Sequence, residues 1–223
     1  MGLCGKTKSN TPLRRKLVVV GDGNCGKSSL MNVFTKGIFP QVYEPTVFEN
    51  YVHEITVDGQ EVEFGLWDTA GQEEYDRLRT LSYENTHIVL LCFSVDNRVS
   101  LDNILERWLP EISDHCPRAK LMLLALKCDL RDEEPTENGA TEPVMYDEGV
   151  AMARQVSAVR YLECSAKHNR GVREVFEQAA RVAILAQKDV QSAEDHHRQQ
   201  QSHYPINYLP QPIPHKPVTA CSK

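Results

Sequence analysis

Gly21-Asp22-Gly23-Asn24-Cys25-Gly26-Lys27-Ser28 is the stretch that decides the fold. It follows a short β-branched apolar run, Leu17 to Val20, which reads as a buried strand. It precedes Ser29-Leu30-Met31-Asn32-Val33-Phe34, a segment with helical spacing. A strand, a glycine-rich turn with GxxxxGK[ST] spacing and a helix start together make a phosphate-binding loop. The glycines let successive backbone N–H groups turn inward around a phosphate chain, and the helix N-terminus adds its positive dipole end. Lys27 supplies a mobile cation for the outer phosphates, and the Ser28 hydroxyl is a ligand for Mg²⁺. A nucleotide polyphosphate is the expected occupant.

Outward from this loop, apolar strands alternate with amphipathic helices. Asn50 to Val57 and Gln60 to Trp67 are two strand runs joined by Asp58-Gly59, a hairpin dipeptide. His87 to Val95 and Leu121 to Leu126 are continuous apolar runs, as expected of strands covered on both faces. Leu101, Ile104, Leu105, Trp108 and Ile112 recur at helical spacing. Asp147 to Val156 reads as a helix, Arg160 to Glu163 as a short strand, and Gly171 to Gln187 as the last helix. Its stripe of Val172, Val175, Phe176, Ala179, Val182, Ala183 and Ala186 suits core packing. The expected fold is α/β: a doubly wound, mostly parallel six-stranded sheet with helices on both faces. Ligands in such sheets sit at the carboxyl ends of the strands.

Three further strings fall at those ends. Asp68-Thr69-Ala70-Gly71-Gln72 follows the third strand: an acid there can hold Mg²⁺ through water, the Gly71 amide can meet a terminal phosphate, and Gln72 can orient an attacking water. Leu126-Lys127-Cys128-Asp129 ends the fifth strand. The Asp129 carboxylate can accept the N1–H and exocyclic amine of guanine, a pair that adenine does not offer, and the Lys127 stem can lie over the base. Ser165-Ala166-Lys167 follows the sixth strand and sets a backbone N–H near the guanine carbonyl. Singly each string is a polar loop after a strand, but their order and spacing together point to guanine. Between Phe34 and Asn50 lies a long loop, of a kind that is usually functional inside a compact domain. A threonine in it can reach Mg²⁺ and the γ-phosphate, tightening with triphosphate and relaxing after hydrolysis; spacing alone does not separate Thr46 from Thr35.

The 223 residues suit one domain with tails, taken as an arm over 1–14, a nucleotide-binding domain over 15–187 and a disordered Gln/His/Pro-rich tail over 188–223. A net charge of −6 argues against nucleic acid as a partner, and no segment approaches the roughly 20 apolar residues of a membrane span. There is no secretory leader in the sequence as given. The seven cysteines are odd in number and include no CxxC pair, which fits reduced thiols rather than disulfides or zinc. Cys25 lies at a helix N-terminus, where a redox-sensitive thiol or a small packing residue would both fit. The first sixteen residues carry Lys6, Lys8, Arg14, Arg15 and Lys16 with no acid. This is either a solvated basic arm or, with an acyl chain on Cys4, a two-signal membrane anchor.

From about Arg15 to Gln187 the chain resembles the Rho family of Ras-like small GTPases. Tyr43-Glu44-Pro45-Thr46-Val47-Phe48-Glu49-Asn50-Tyr51 is similar to the family's switch I, and Leu66-Trp67-Asp68-Thr69-Ala70-Gly71-Gln72-Glu73-Glu74-Tyr75-Asp76-Arg77-Leu78-Arg79 to its switch II. Asp114-His115-Cys116, Ala125 to Arg131 and Arg160 to Lys167 look most like a fungal branch tied to polarised growth and exocytosis. The resemblance implies a GTP-hydrolysing switch using GTP/GDP and Mg²⁺. Its magnesium ligands would be Ser28 and Thr46, and its catalytic residues Gln72 and Lys27. Its nucleotide contacts would come from Asp22, Gly23, Asn24, Cys25, Gly26, Lys27, Ser28, Ser29, Phe39, Tyr43, Thr46, Asp68, Gly71, Lys127, Asp129, Leu130, Ser165, Ala166 and Lys167. Any side chain at Gly23 would crowd the glutamine. Phe48, Glu49, Asn50 and Tyr51 would face effectors, and Trp67 with switch II would face a guanine nucleotide exchange factor. A GTPase-activating protein would supply the missing arginine finger. The implied state is a monomer at the cytoplasmic face of the plasma membrane, with a cytosolic pool, acting in cell polarity, actin organisation and exocytosis.

The chain departs from the family pattern at three places. Position 126 is Leu where Asn or Thr is usual, so a hydrogen bond from this loop to the phosphate loop is lost; at about 1 kcal/mol, looser nucleotide is expected. Asp132 to Met145 stands where the family carries an inserted helix, but it looks short and is broken by Pro135, Gly139 and Pro143. The end, Ala220-Cys221-Ser222-Lys223, places cysteine third from last and is not a prenylation box as written. Either the chain stops short, or the anchor lies at Cys4. Two other classes fit parts of the pattern. A GTP-holding scaffold without turnover is opposed by Gly23 and Gln72, and a small-substrate kinase or ATPase by Asp129 and Ser165-Ala166-Lys167.

Overall fold

The computed structural model describes residues 11–42, 45–131 and 142–186. Six strands form one sheet: β1 (Leu13–Gly21), β2 (Phe48–Val57), β3 (Gln60–Thr69), β4 (Ile88–Ser94), β5 (Lys120–Leu126) and β6 (Arg160–Glu163). Their order is β2-β3-β1-β4-β5-β6, and every neighbouring pair is parallel except β2 with β3. That exception is the hairpin, whose Asp58 (φ 51°) and Gly59 (φ 76°) both take the left-handed conformation a tight two-residue turn demands. β1 pairs with β3 on one side and β4 on the other, so the chain leaves it in opposite directions and a crevice opens at its carboxyl end.

Alternation along the strands builds the two layers. Leu17 and Val19 of β1, Phe64 and Leu66 of β3 and Leu90 of β4 face one side. There they pack with Leu30 and Met31 of α1 (Lys27–Lys36) and with Val175, Phe176 and Ala179 of the final helix, α6, over 172–186. Val18, Val20, Leu91 and Phe93 face the other side, against Ile104, Trp108, Ile112 and Met152. The helices of that layer are α3 (Arg98–Asn103), α4 (Leu109–His115) and α5 (Tyr146–Gln155); a five-residue helix, α2 (Asp76–Thr80), follows the third strand.

Some boundaries differ from expectation. Leu13 and Arg14 already belong to β1, with Arg14 3.0 Å from Glu63 across the strand pair, so the ordered domain begins inside the span assigned to the arm. β2 starts at Phe48 rather than Asn50, because antiparallel pairing with β3 continues to Thr69. The long helix expected from Leu101 to Ile112 is two α-helices joined by a π-helical turn, Ile104–Trp108. That wider turn presents the Trp108 ring edge to the phosphate loop, a role described below. Residues 1–10 with Cys4, Tyr43 and Glu44, residues 132–141 of the insert and the tail from 187 lie outside the described residues. Among those described, no helix is long and apolar enough to cross a membrane.

Candidate functional site

Two adjoining chambers occupy the carboxyl ends of the parallel strands. The larger, about 380 Å³, is lined by Gly23, Asn24, Gly26, Lys27, Ser28 and Ser29 from the glycine-rich loop and α1. Phe39 to Val42 and Thr46 line it from the following loop, Thr69 to Gln72 from the end of β3, and Lys127 from beyond β5. The smaller, about 120 Å³, is lined by Gly26, Ser29, Leu30, Phe39, Leu126, Lys127, Asp129, Leu130, Cys164, Ala166 and Lys167. A polar chamber with Lys27 in its wall thus adjoins one lined largely by apolar side chains.

The glycine-rich loop turns because Gly21 (φ +142°) and Gly26 (φ +107°) hold conformations unfavourable to any side chain; a Cβ on Gly21 would lie 2.1 Å from the Cys92 carbonyl oxygen. Lys27 is 5% exposed, and its ammonium donates to the carbonyls of Gly21 (2.8 Å) and Asp22 (2.7 Å). It is therefore held across the mouth of the loop. The Asp22 carboxylate points away from both chambers, accepting from Asn103 Nδ2 (2.7 Å) and Trp108 Nε1 (2.8 Å). Of Asp22, then, it is the backbone that belongs to the loop. Cys25 sits beneath the loop, 2% exposed; burial raises its thiol pKa, outweighing the pull of Lys27. That environment suits packing and opposes the thiolate needed for a redox sensor.

The Ser28 hydroxyl lies 2.5 Å from the Thr46 hydroxyl. Thr35, by contrast, belongs to α1 and donates back to the Met31 carbonyl (2.7 Å), so it is turned away from the chamber. Close by is Asp68, 1% exposed, with neither carboxylate oxygen hydrogen-bonded. Burial pushes this carboxyl up to about 6, against the opposing influence of the Ser28 hydroxyl and the Lys27 ammonium. A buried carboxylate without a partner is expensive. Two hydroxyls and an unpartnered acid are hard-oxygen donors of the kind that suits Mg²⁺.

Gly71 comes so close to the glycine-rich loop that a Cβ on it would stand 2.4 Å from the Gly21 oxygen, the Asp22 carbon and the Gly23 nitrogen. Gln72 lies over Gly23, where an added Cβ would meet its side chain at 3.5–3.7 Å. One methyl therefore makes ordinary contact, and crowding of the glutamine begins with larger side chains; the expectation that any side chain would crowd it is too strong.

In the smaller chamber Asp129 is 4% exposed, and its Oδ1 has no hydrogen-bond partner. Lys127 adopts a left-handed backbone (φ 57°), an uncommon conformation of the kind that clusters at ligand clamps, and its ammonium is 3.4 Å from Asp96. The Ser165 N–H is bonded to the Arg170 carbonyl (2.9 Å), and its hydroxyl accepts the His168 N–H. The Ser165 amide is accordingly not available to a base carbonyl. Leu126, 2% exposed, packs its side chain toward Gly26.

A cluster that the sequence reading missed holds the segment after β3. Arg79 has 1% of its side chain exposed. It donates to Glu111 through both Nε and Nη2 (2.7 Å each), to Asp76 (2.7 Å) and to the Ala70 carbonyl (2.9 Å). Tyr83 also donates to Glu111 (2.5 Å). Trp108, fully buried, lies between the guanidinium groups of Arg79 (4.7 Å) and Arg107 (4.6 Å) while its indole N–H grips Asp22. The helical period had marked Trp108 only as core. A buried indole needs an acceptor, and that was the available signal.

Fold and site define a protein of the phosphate-binding-loop class. A model of the Ras family matches residues 16–185. The GTP-binding protein rho3 of Schizosaccharomyces pombe is 58% identical, covering 84% of this chain and 91% of its own length. RHO3 of Saccharomyces cerevisiae is 52% identical over 82% and 91%. Human Rho-related GTP-binding protein RhoB is 57% identical over 77% and 90%. The chain belongs to the Ras family as a Rho-type small GTPase, a guanine nucleotide-binding switch that hydrolyses GTP.

Proposed function

We propose that the larger chamber holds the triphosphate and Mg²⁺, the smaller one guanine, and that hydrolysis releases two loops. Asp22 to Ser29 cradle the phosphates through backbone N–H groups, and Lys27 leaves its two carbonyls to draw charge from the outer phosphates. Ser28 and Thr46 would hold Mg²⁺ directly, with Asp68 acting on it through water. When bound, the ion neutralises charge on the transferring phosphoryl group. The Gly71 amide faces the terminal phosphate, and Gln72 aims the attacking water. Asp129 accepts from the guanine edge, with Lys127 and Phe39 against the ring, Tyr43 over the phosphates, and Leu130, Ala166 and Lys167 completing the wall. The unpartnered Asp68 beside the Ser28–Thr46 hydroxyl pair is the observation that carries this proposal.

No cis arginine finger is part of this proposal, so turnover is slow until an activating protein accelerates it by a factor on the order of 10³–10⁵. Effectors engage the face of Phe48 to Tyr51, and an exchange factor engages Trp67 with the segment that follows β3. Acylation at Cys4 beside the basic arm draws the protein to the cytoplasmic face of the plasma membrane, where it acts in polarised growth, actin organisation and exocytosis. Single-turnover phosphate release from GTP-loaded protein tests the catalytic part. Gln72→Leu should keep its nucleotide yet release phosphate at least tenfold more slowly. Equal rates would remove Gln72 from the mechanism. Palmitate incorporation into parent and Cys4→Ser tests the anchor, which fails if both incorporate alike.

A further inference from the structure

The smaller chamber, the proposed guanine site, has walls of two kinds. One is Asp129, buried, with Oδ1 unpartnered. Beside Gly26, Leu126 brings its Cδ1 and Cβ within 3.7 and 3.8 Å of the point where a Cβ on Gly26 would stand. A guanine nucleotide has a fixed polarity. Its N1–H and exocyclic amine occupy one end of the purine, while N9, at the other, leads through the ribose to the phosphates. With the first end on Asp129 and the phosphates on the glycine-rich loop, the imidazole ring comes to the Gly26 side, and the orientation that turns N7 toward Gly26 sets it against Leu126.

Leu126 carries no polar atom, and Leu30 beside it is fully buried and equally apolar. The thiol of Cys164, whose pKa burial raises to about 12, is a weak donor. The Lys127 ammonium is engaged by Asp96. We infer that this chain reads its base without a contact to N7, which lies against Leu126 with no hydrogen bond. Leu126 thereby sets which purines are accepted: nucleotides of 7-deazaguanine, which carry a C–H in place of N7, enter on equal or better terms than those of guanine. They escape the cost of burying an acceptor that finds no donor. The inference deepens the guanine assignment and rests on it.

Competition against a fluorescent GDP analogue, with the full-length chain and Mg²⁺, measures the relative affinities of GDP, 7-deaza-GDP and XDP. The parent should bind 7-deaza-GDP at least as tightly as GDP. Leu126→Asn, which offers an amide donor, should reverse the order and prefer GDP by about threefold to tenfold, the worth of one hydrogen bond. A parent that binds 7-deaza-GDP threefold or more weakly than GDP overturns the inference, and loss of that preference in Ser29→Ala would then identify the donor. XDP separates the two levels. It lacks the exocyclic amine and should bind far more weakly than GDP. If it binds as well as GDP, the role given to Asp129, and with it the guanine assignment, is wrong. Should Leu126→Asn fail to fold, the ratio measured on the parent alone still decides.

Discussion

Glu111→Leu is the substitution that most directly probes how the segment after β3 is held. Leucine keeps roughly the volume of glutamate but deletes three accepted hydrogen bonds, two from Arg79 at 2.7 Å and one from Tyr83 at 2.5 Å. The Arg79 side chain is 1% exposed and that of Glu111 15%, so solvent cannot compensate. Removing one partner of a buried pair typically costs about 3–5 kcal/mol. Arg79 retains Asp76 and the Ala70 carbonyl, which places the expected loss near the lower end, about 3 kcal/mol. For a domain of this size that lowers Tm by roughly 6–12 °C. The measurement is thermal unfolding at fixed GDP and Mg²⁺, because bound ligand adds to apparent stability. The double variant Arg79→Met/Glu111→Leu removes both charges and should be much less destabilised than the sum of the singles. A fall below 3 °C for Glu111→Leu, or simple additivity in the double variant, would refute the coupling.

Acid should erode the same contact. Burial raises the Glu111 pKa, but hydrogen bonds from Arg79 and Tyr83 outweigh it and hold the group below its ordinary 4.5. Its contribution is therefore complete above about pH 4.5 and disappears as pH falls through the lower folded value, so parent and Glu111→Leu should converge in stability below that point. Gly149→Ala puts a Cβ 2.0 Å from the Tyr161 hydroxyl and should cost about 1–3 kcal/mol; in a Tyr161→Ala background the same change should stabilise, as alanine does in a helix. Equal effects in both backgrounds would contradict the close approach. Gly71→Ala meets three backbone atoms at 2.4 Å and should weaken fluorescent-GDP binding or folding, whereas Gly37→Ala, with open space around it, costs only its left-handed strain. Mass-resolved iodoacetamide labelling of the native chain should leave Cys25 and Cys92 unmodified until unfolding, since burial raises both thiols.

Local chemistry made much of this protein legible from the chain alone. Glycines at 21, 23 and 26 with Lys27 and Ser28, a hairpin at Asp58-Gly59, and continuous apolar runs in β4 and β5 each have one physical reading in their neighbourhood. The order of strands and helices followed from them, as did the crevice at the strand ends. The Ras-family match and the Rho relatives agree with that reading. Boundaries were less legible, because hydrogen-bonded pairing, not residue type, carries β2 back to Phe48 and β1 back to Leu13.

What tertiary structure alone decided concerns partners distant in sequence. Spacing left Thr46 and Thr35 equivalent; in the fold one hydroxyl meets Ser28 and the other closes on its own helix. Asp22 looked like a chamber residue, yet its carboxylate serves Trp108, 86 residues away, across a π-turn that a helical stripe does not reveal. Arg79 looked like one more charge in a polar segment until Glu111 and the Ala70 carbonyl closed around it. The reason is common to all three. Backbone preference and hydrophobic period act between neighbours, whereas the partner of a buried polar group is fixed only when packing brings distant segments together and removes water.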